Sequence, residues 1–541
     1  MRASRLLIPV WALGYLLLAL LATPVTAQPA DSATDPEQTL GETDFPNSGA
    51  AEAQAPFLRG LLLLHSFEYA DARAAFQEAL RTDPDFAMAA WGEAMTHNHP
   101  IWMDQDQAAA QAALERLGAT PAERLAAAPT ERERAYLRAA EALFFADATK
   151  EERDDAFAES MAELAAAYPD DLDAAAFHAL AVLGTAHEGR DFATYMRAAA
   201  IAEEVFDANP RHPGAAHYLI HAYDDPVHAP LGLRPARVYA EIAPAASHAL
   251  HMPSHIYFAL GDWDRGAVMN ERSHEAAAAK TTARGEPLNG HGWHALYWLH
   301  YAYLQQGRYA AAEEILERVA AMAEADPTGR APWMLRAMRG HHVVETADGD
   351  GAWAQREIPA PEPSLVSDVQ DRFARGLAAL HREDVTEAEQ ALAGVQAALA
   401  EADAEARRTV PLRILALELE ALLDLHAGAA ADAFARAEEA AALEDTMPIE
   451  FGPPDPVKPA HELYGEVLLA LDRPAEAQAQ FEAVLERYPR RTRALLGLAE
   501  AAARVGDAAT AAEARAEVEA IWHAADPGVR AGWTPPTGGT R

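Results

Sequence analysis

Histidine is the residue type whose distribution in this sequence most directly suggests chemistry. Thirteen of the 22 histidines lie in residues 178–300, where an even spread would put about five. Several of them recur at intervals of three or four residues: His217 with His221, and His248 with His251 and His255. Residues at these intervals share one face of an α-helix. The pattern therefore predicts imidazole groups that are presented side by side.

Metal binding is one chemistry open to such groups. Imidazole nitrogen suits zinc, copper, nickel and iron, and two histidines four residues apart on a helix offer two nitrogens at chelating distance. The sequence therefore indicates a site for a divalent transition metal on four histidines: His217, His221, His251 and His255. Asp224 and Asp225 are alternative third ligands for the first pair. A purely structural role, in which buried histidines and aspartates tie turns together, stays open.

Enzyme activity is not predicted. Three metal ligands with an open position would support hydrolysis by a bound water, but the HExxH motif that supplies a general base is absent. Ser247 and Ser254 lie among the histidines, yet neither occupies the GxSxG setting of an activated nucleophile. A glycine-rich phosphate loop is absent as well.

Charge and cysteine content narrow the classes of partner. The formal net charge is −39, which repels phosphate backbones and anionic lipid, so nucleic acid is not a predicted partner. Hydrophobic residues make up 50% and charged residues 23%, which is typical of globular proteins. The sequence has no cysteine, and this excludes disulfides, thiolate metal ligands and cysteine nucleophiles.

The N-terminus predicts export. Arg2 and Arg5 precede an apolar run over residues 6–21, and small residues lead to Ala27. The run is short for a membrane span of about 20 residues, so a cleaved signal peptide of residues 1–27 is favoured over an uncleaved anchor. We therefore expect no stable membrane insertion after cleavage and a periplasmic or secreted protein.

A repeated pattern organises the rest of the chain. Small residues at helical spacing are followed by large apolar residues and a closing proline, in three copies: Tyr69, Ala72, Phe76, Ala79, Leu80 and Pro84; Tyr195, Ala198, Ala202, Val205, Phe206 and Pro210; Pro474, Ala477, Phe481, Val484, Leu485 and Pro489. This spacing resembles the second helix of a tetratricopeptide repeat (TPR). The strings at 212–217 and 247–255 resemble a group of exported bacterial TPR proteins.

The resemblance implies an all-α fold, an α-α superhelix (TPR-type solenoid) with inserted helices and a second C-terminal repeat block. In the family, first-helix positions line the concave groove. On this sequence they are occupied by the four histidines named above and by Asp224, Asp225, His248, His294, Tyr297 and Tyr301. The resemblance thus implies a scaffold that binds a peptide or protein partner in this groove, with metal binding as the alternative. Pro253 departs from the generic repeat and predicts a kink or a shifted helix start.

The predicted organisation has six segments. They are a signal peptide (1–27), a flexible leader (28–52), an N-terminal TPR-like solenoid (53–340), a linker (341–368), a C-terminal TPR-like block (369–525) and a disordered tail (526–541).

Overall fold

The computed structural model describes residues 39–358, 364–402 and 407–532, and the predicted signal peptide lies outside this part of the chain. Within the described residues, α-helices supply most of the regular structure, and the one sheet is an antiparallel pair, β1 (Asn98–His99) and β2 (Asp104–Gln105). The predicted all-α fold class is confirmed. No described helix has the length and apolar character that a membrane crossing needs.

The first part of the described chain contains helices that mostly pair as antiparallel hairpins. They are α1 Gln54–His65, α2 Tyr69–Thr82, α3 Ala87–Met95, α4 Gln107–Glu115, α5 Pro121–Ala126, α6 Glu131–Phe145, α7 Lys150–Ala167, α8 Leu172–Leu183, α9 Phe192–Ala208, α10 Pro213–Tyr223, α11 Ala229–Ala236, α12 Tyr239–Ile242, α13 Ser247–His251, α14 Pro253–Ala259, α15 Trp263–Arg284, α16 Gly290–Gln305, α17 Tyr309–Ala325, α18 Ala331–Thr346 and α19 Ala352–Gln355.

The second part continues the same architecture. Its helices are α20 Leu365–His381, α21 Val385–Ala400, α22 Val410–His426, α23 Ala430–Glu444, α24 Ala460–Ala470, α25 Pro474–Arg487, α26 Thr492–Val505, α27 Ala508–Ile521 and α28 Pro527–Gly532. Short 3-10 turns occupy Ala51–Ala53, Pro100–Trp102, Arg407–Thr409 and Trp522–Ala524.

The two helices of a hairpin are joined by one recurring turn. Its central residue is left-handed, as at Gly261 (φ 64°) and Gly307 (φ 66°), and the next N–H bonds back to the carbonyl five residues earlier. Glycine adopts this conformation without steric cost, which is why it commonly ends helices. The hairpin α1–α2 has Phe67 (φ 53°) at this position. A bulky residue is strained in this conformation, and strained residues cluster at functional sites.

The helix that carries most of the predicted site is interrupted at Pro253. Helix α13 ends at His251 and α14 starts at Pro253, which confirms the shifted start that the proline predicted. Proline has no N–H to donate and suits the first turn of a helix. Met252, between the two helices, keeps right-handed helical angles (φ −53°, ψ −37°).

The predicted segments join through buried contacts. Residues 39–50 of the predicted leader lie along the solenoid, where Phe45 is buried. The predicted boundary at residue 340 falls inside α18. Buried Arg491 bonds to Glu462 (2.6 Å) in its own block and to Glu345 (2.6 Å) and Tyr301 (2.7 Å) across the boundary. The C-terminal block therefore packs onto α16 and α18, toward the C-terminal end of the first part of the chain. Of the predicted tail, residues 533–541 lie outside the described part.

Candidate metal centre

Four helices bring six histidines together in two adjoining groups. We call the first triad A (His217, His221 and His248) and the second triad B (His251, His255 and His294). Within each triad, one ligand nitrogen from every member lies within 4.8 Å of the others. Helix α10 supplies the first pair, α13 and α14 supply the next three histidines, and α16 supplies the last. All are buried except the half-buried His294.

The geometry of triad B fixes where its lone pairs point. Asn270 donates its amide N–H to the Gly266 carbonyl at 2.8 Å, so its oxygen faces Nδ1 of His251 at 2.6 Å. Nδ1 of His255 lies 2.8 Å from the Asp224 carboxylate. Both Nδ1 atoms therefore donate a proton, and in the neutral rings both Nε2 atoms carry lone pairs. These two Nε2 atoms face each other at 3.0 Å.

Two lone pairs at this distance repel each other unless a cation lies between them. A proton is disfavoured near neutral pH, because burial lowers the pKa of His255 to about 4. Burial and the neighbouring His294 and His255 also hold the pKa of His251 well below its usual value. A metal ion suits the arrangement: with metal–nitrogen distances of about 2.0–2.1 Å, tetrahedral ligand nitrogens lie roughly 3.3 Å apart.

Triad A has the same character. His217 donates Nδ1–H to the carbonyl of His65 at 2.7 Å, and Nδ1 of His221 lies 3.5 Å from the Asp224 carboxylate. Among the described residues, the Nε2 atoms of both rings and both nitrogens of His248 have no hydrogen-bond partner. Buried polar atoms are rarely left unpaired. The three converging imidazoles, with nitrogens that have no partner, are therefore arranged as the ligands of a metal ion would be.

One carboxylate serves both triads. Asp224 faces His255 of triad B and His221 of triad A through the same oxygen, and its other oxygen pairs with Arg190. Burial alone would raise the pKa of Asp224, but Arg190 and the hydrogen bonds from the two histidines lower it below its usual range. Such outer carboxylates set the tautomer and orientation of ligating histidines. Asp224 is therefore placed to orient both rings, and with His221 and His255 it also forms a further group of ligand atoms within 4.8 Å of one another.

The other residues predicted for the groove have different partners. Asp225 accepts hydrogen bonds from the ring and backbone of His228, so it ties the turn after α10. Tyr297 donates its hydroxyl to His341 at 2.7 Å, and Tyr301 accepts from Arg491 at 2.7 Å. The structure thus directs both tyrosines toward the C-terminal part of the chain and away from the triads.

Aromatic rings surround the triads. His255 lies against Trp298 (ring centroids 4.5 Å apart) and against Phe451 (4.8 Å), which reaches in from the loop before α24. The Phe67 ring lies 4.2 Å from His217. Sequence reasoning missed Phe451, Asn270 and Arg190, which are remote in sequence. Only Phe67 gave a signal, since it stands at the turn position that glycine occupies in later hairpins.

A cleft of about 450 Å³ opens beside both triads. His248 of triad A and His294 of triad B reach its wall. Aromatic rings line it on one side, from Phe67, Tyr69 and Trp102. A small molecule entering here would meet one histidine of each triad, so the cleft is the open route to the candidate centre.

Comparison with known proteins bears on the fold. A family model described as Tetratricopeptide repeat matches residues 294–326, which cover most of α16 and all of α17. No curated protein shows significant similarity to the chain.

Among solved structures, the chain is similar to the APC/C hetero-tetramer Cut9–Hcn1 (11% identity, 89% of this chain and 76% of that one, TM-score 0.33). It is also similar to the human IFIT1 dimer with m7Gppp-AAAA (13% identity, 89% of this chain and 92% of that one, TM-score 0.36). At these TM-scores no conclusion rests on either likeness.

Proposed function

We propose that this chain is a tetratricopeptide-repeat protein that binds transition-metal ions in two adjoining tri-histidine sites, triads A and B. One observation carries the proposal: the Nε2 atoms of His251 and His255 face each other at 3.0 Å while both Nδ1 atoms are held by acceptors. A metal ion bound by both Nε2 atoms would remove the repulsion between their lone pairs.

Copper and zinc are the first ions to consider. Imidazole-only sites suit both, and divalent affinity peaks at copper in the first transition row. The sequence has no cysteine to draw soft ions elsewhere. The predicted signal peptide adds the proposal that the protein works in the periplasm or outside the cell, where it would meet these ions.

A peptide or protein partner is the second candidate. Repeat solenoids present extended concave surfaces that bind other proteins, so the fold suggests an interaction scaffold. However, eight of the ten residues predicted to form a metal site or groove are buried, and His294 and Tyr297 are half-buried. A bound peptide would touch only the cleft rim, whereas an ion is small enough to reach the triads.

The test is elemental analysis of the intact chain, purified without a tag and loaded with zinc or copper. We expect two ions per chain. The double variant His251→Gln/His255→Gln should lose one ion, and His217→Gln/His221→Gln should lose the other. The matched control His187→Gln/His426→Gln removes two histidines outside the triads and should keep both ions. A loaded wild-type chain without stoichiometric metal would refute the proposal.

A further inference from the structure

The cleft beside the triads combines three features that point to one class of ligand. Its size suits a single small organic molecule, since ligand pockets are commonly about 300–1,000 Å³. Aromatic rings line one wall, and one histidine of each triad reaches the cleft. The remaining question is which polar groups the cleft offers.

The first feature is an exposed aromatic ring. Trp102 is 45% exposed at the cleft, on the short 3-10 turn between β1 and β2. Its ring lies 5.5 Å from that of Phe67 and 6.3 Å from that of His248. Aromatic side chains bury large apolar areas and stack on planar ligands. Trp102 therefore offers a face to a ring that enters the cleft.

The second feature is unused polar capacity. Tyr69 lines the cleft, and its hydroxyl is buried behind the cleft wall without a hydrogen-bond partner among the described residues. Arg284 pairs with Asp71 at 2.7 Å. In the described part of the chain Arg330 forms no ion pair, and it stands at the cleft wall close to His294. The cleft thus presents a spare cation, Arg330. Of the lining carboxylates, Glu68 and Asp71 pair with Lys280, and Glu286 is exposed.

The third feature depends on the ions. Each triad supplies only neutral imidazoles, and the charge of Asp224 is offset by Arg190. Divalent ions held there would keep their positive charge and attract an anionic oxygen ligand. Such an oxygen would approach from the cleft, because Phe451 and Trp298 cover His255 elsewhere.

We infer that the cleft binds a small aromatic molecule with an anionic oxygen, its ring against Trp102 and its oxygen toward the metal centre. This inference rests on the proposed function, since the ions supply much of the attraction. A carboxylate and a phenolate share this chemistry. Arg330 would orient the anionic end.

The experiment is calorimetric titration of the zinc-loaded intact chain, after its metal content has been measured. The probes are benzoate and phenol, with cyclohexanecarboxylate (charge without an aromatic ring) and benzamide (ring without charge) as comparisons. We expect benzoate or phenol to bind about tenfold more tightly than both comparisons. Which of the two binds more tightly identifies the oxygen donor as carboxylate or phenolate.

Two variants locate the binding. Trp102→Ala should weaken the Kd of the tighter probe about tenfold while leaving metal content unchanged. Phe192→Ala removes an aromatic ring that is 40% exposed outside the cleft, and it should leave the Kd unchanged. Absence of metal before titration would refute the proposed function. With metal in place, absent binding, equal binding of the comparisons, or no effect of Trp102→Ala would overturn this inference.

Discussion

The metal triads are best understood beside a third buried cluster, formed by His65, Asp173 and His212. It is equally buried, and its ligand atoms also lie within 4.8 Å of one another. Here, however, His65 places one nitrogen 2.8 Å from the Asp173 carboxylate and the other 2.9 Å from the hydroxyl of Tyr218. Asp173 also accepts a hydrogen bond from Thr43 at 2.6 Å.

His212 is the third member of that cluster, and its two ring nitrogens face a backbone N–H and a carboxylate. Its Nδ1 accepts the N–H of Ala215 at the start of α10, so its Nε2–H faces Asp173 at 3.4 Å. Burial raises the pKa of Asp173, but the two histidines lower it below its usual range. The contacts of His65 and Asp173 pair a donor with an acceptor, and only Nε2 of His212 lacks a hydrogen-bond partner among the described residues of this cluster. The comparison teaches that burial and proximity of histidines do not indicate a metal site, whereas converging lone pairs do.

The most direct test of this difference replaces the buried carboxylate of each region, Asp224 beside the triads and Asp173 in the third cluster. Asp224→Asn should weaken zinc binding by about 10–100-fold, because outer carboxylates orient ligating histidines. It should also cost about 3–5 kcal/mol of unfolding free energy, since Arg190 loses a buried partner. Competition with a chelator and urea unfolding measure the two effects.

Asp173→Asn is the matched control. It should destabilise the protein as well, since Asp173 is buried and holds three partners. The zinc affinity of its folded fraction should equal that of the wild type. If Asp173→Asn weakened zinc binding as much as Asp224→Asn, the distinction between the two regions would be wrong.

A smaller effect is expected at the strained turn before α2. Phe67→Gly relieves about 1–2 kcal/mol of left-handed strain but deletes a buried ring that contacts His217, so we expect a net loss of about 1–3 kcal/mol. Glu383 occupies the same turn position before α21 with φ 60° and an exposed side chain. Glu383→Gly should therefore stabilise by about 1 kcal/mol. Thermal unfolding of both variants checks the prediction, and a gain in both would show that the Phe67 ring contributes nothing.

The smallest effect concerns a buried histidine outside all three clusters. Burial lowers the pKa of His342 to about 4. Between pH 6.5 and about 4 the unfolded chain binds a proton there and the folded chain does not, so stability falls as the pH falls through this window. His342→Gln should reduce that slope by at most about 1.4 kcal/mol per pH unit.

Urea unfolding of the metal-free chain at pH 7 and pH 5 measures this slope. His426→Gln is the control, because solvent reaches that ring in the folded protein as well. An unchanged slope in His342→Gln would mean that His342 is protonated as easily in the folded protein as in the unfolded chain.

Much of the fold was predictable because helical spacing, closing prolines and turn glycines act locally. The all-α superhelix and the helix start at Pro253 followed from such signals. Spacing also predicted that His217 and His221 share a face. It did not predict which histidine completes each triad, because the contributions of His248 and His294 depend on how neighbouring helices are rotated.

The sequence did not predict in which direction the histidine lone pairs of the triads point. It depends on Asn270 and Asp224, which lie on or beside other helices and approach only in the folded chain. The predicted groove also assumed an open concave face, whereas Phe451 and the C-terminal block cover part of it. Tyr297 and Tyr301 share the face of His294 in the helix, but they lie further along α16 and meet His341 and Arg491 instead.

The most direct test of the central claim is anomalous diffraction from crystals of the zinc-loaded chain, recorded on both sides of the zinc absorption edge. We predict two anomalous peaks. One should be ligated by His217, His221 and His248, and the other by His251, His255 and His294, with zinc–nitrogen distances of about 2.0–2.1 Å. A peak at His65, Asp173 and His212, or peaks only at surface carboxylates, would contradict the account.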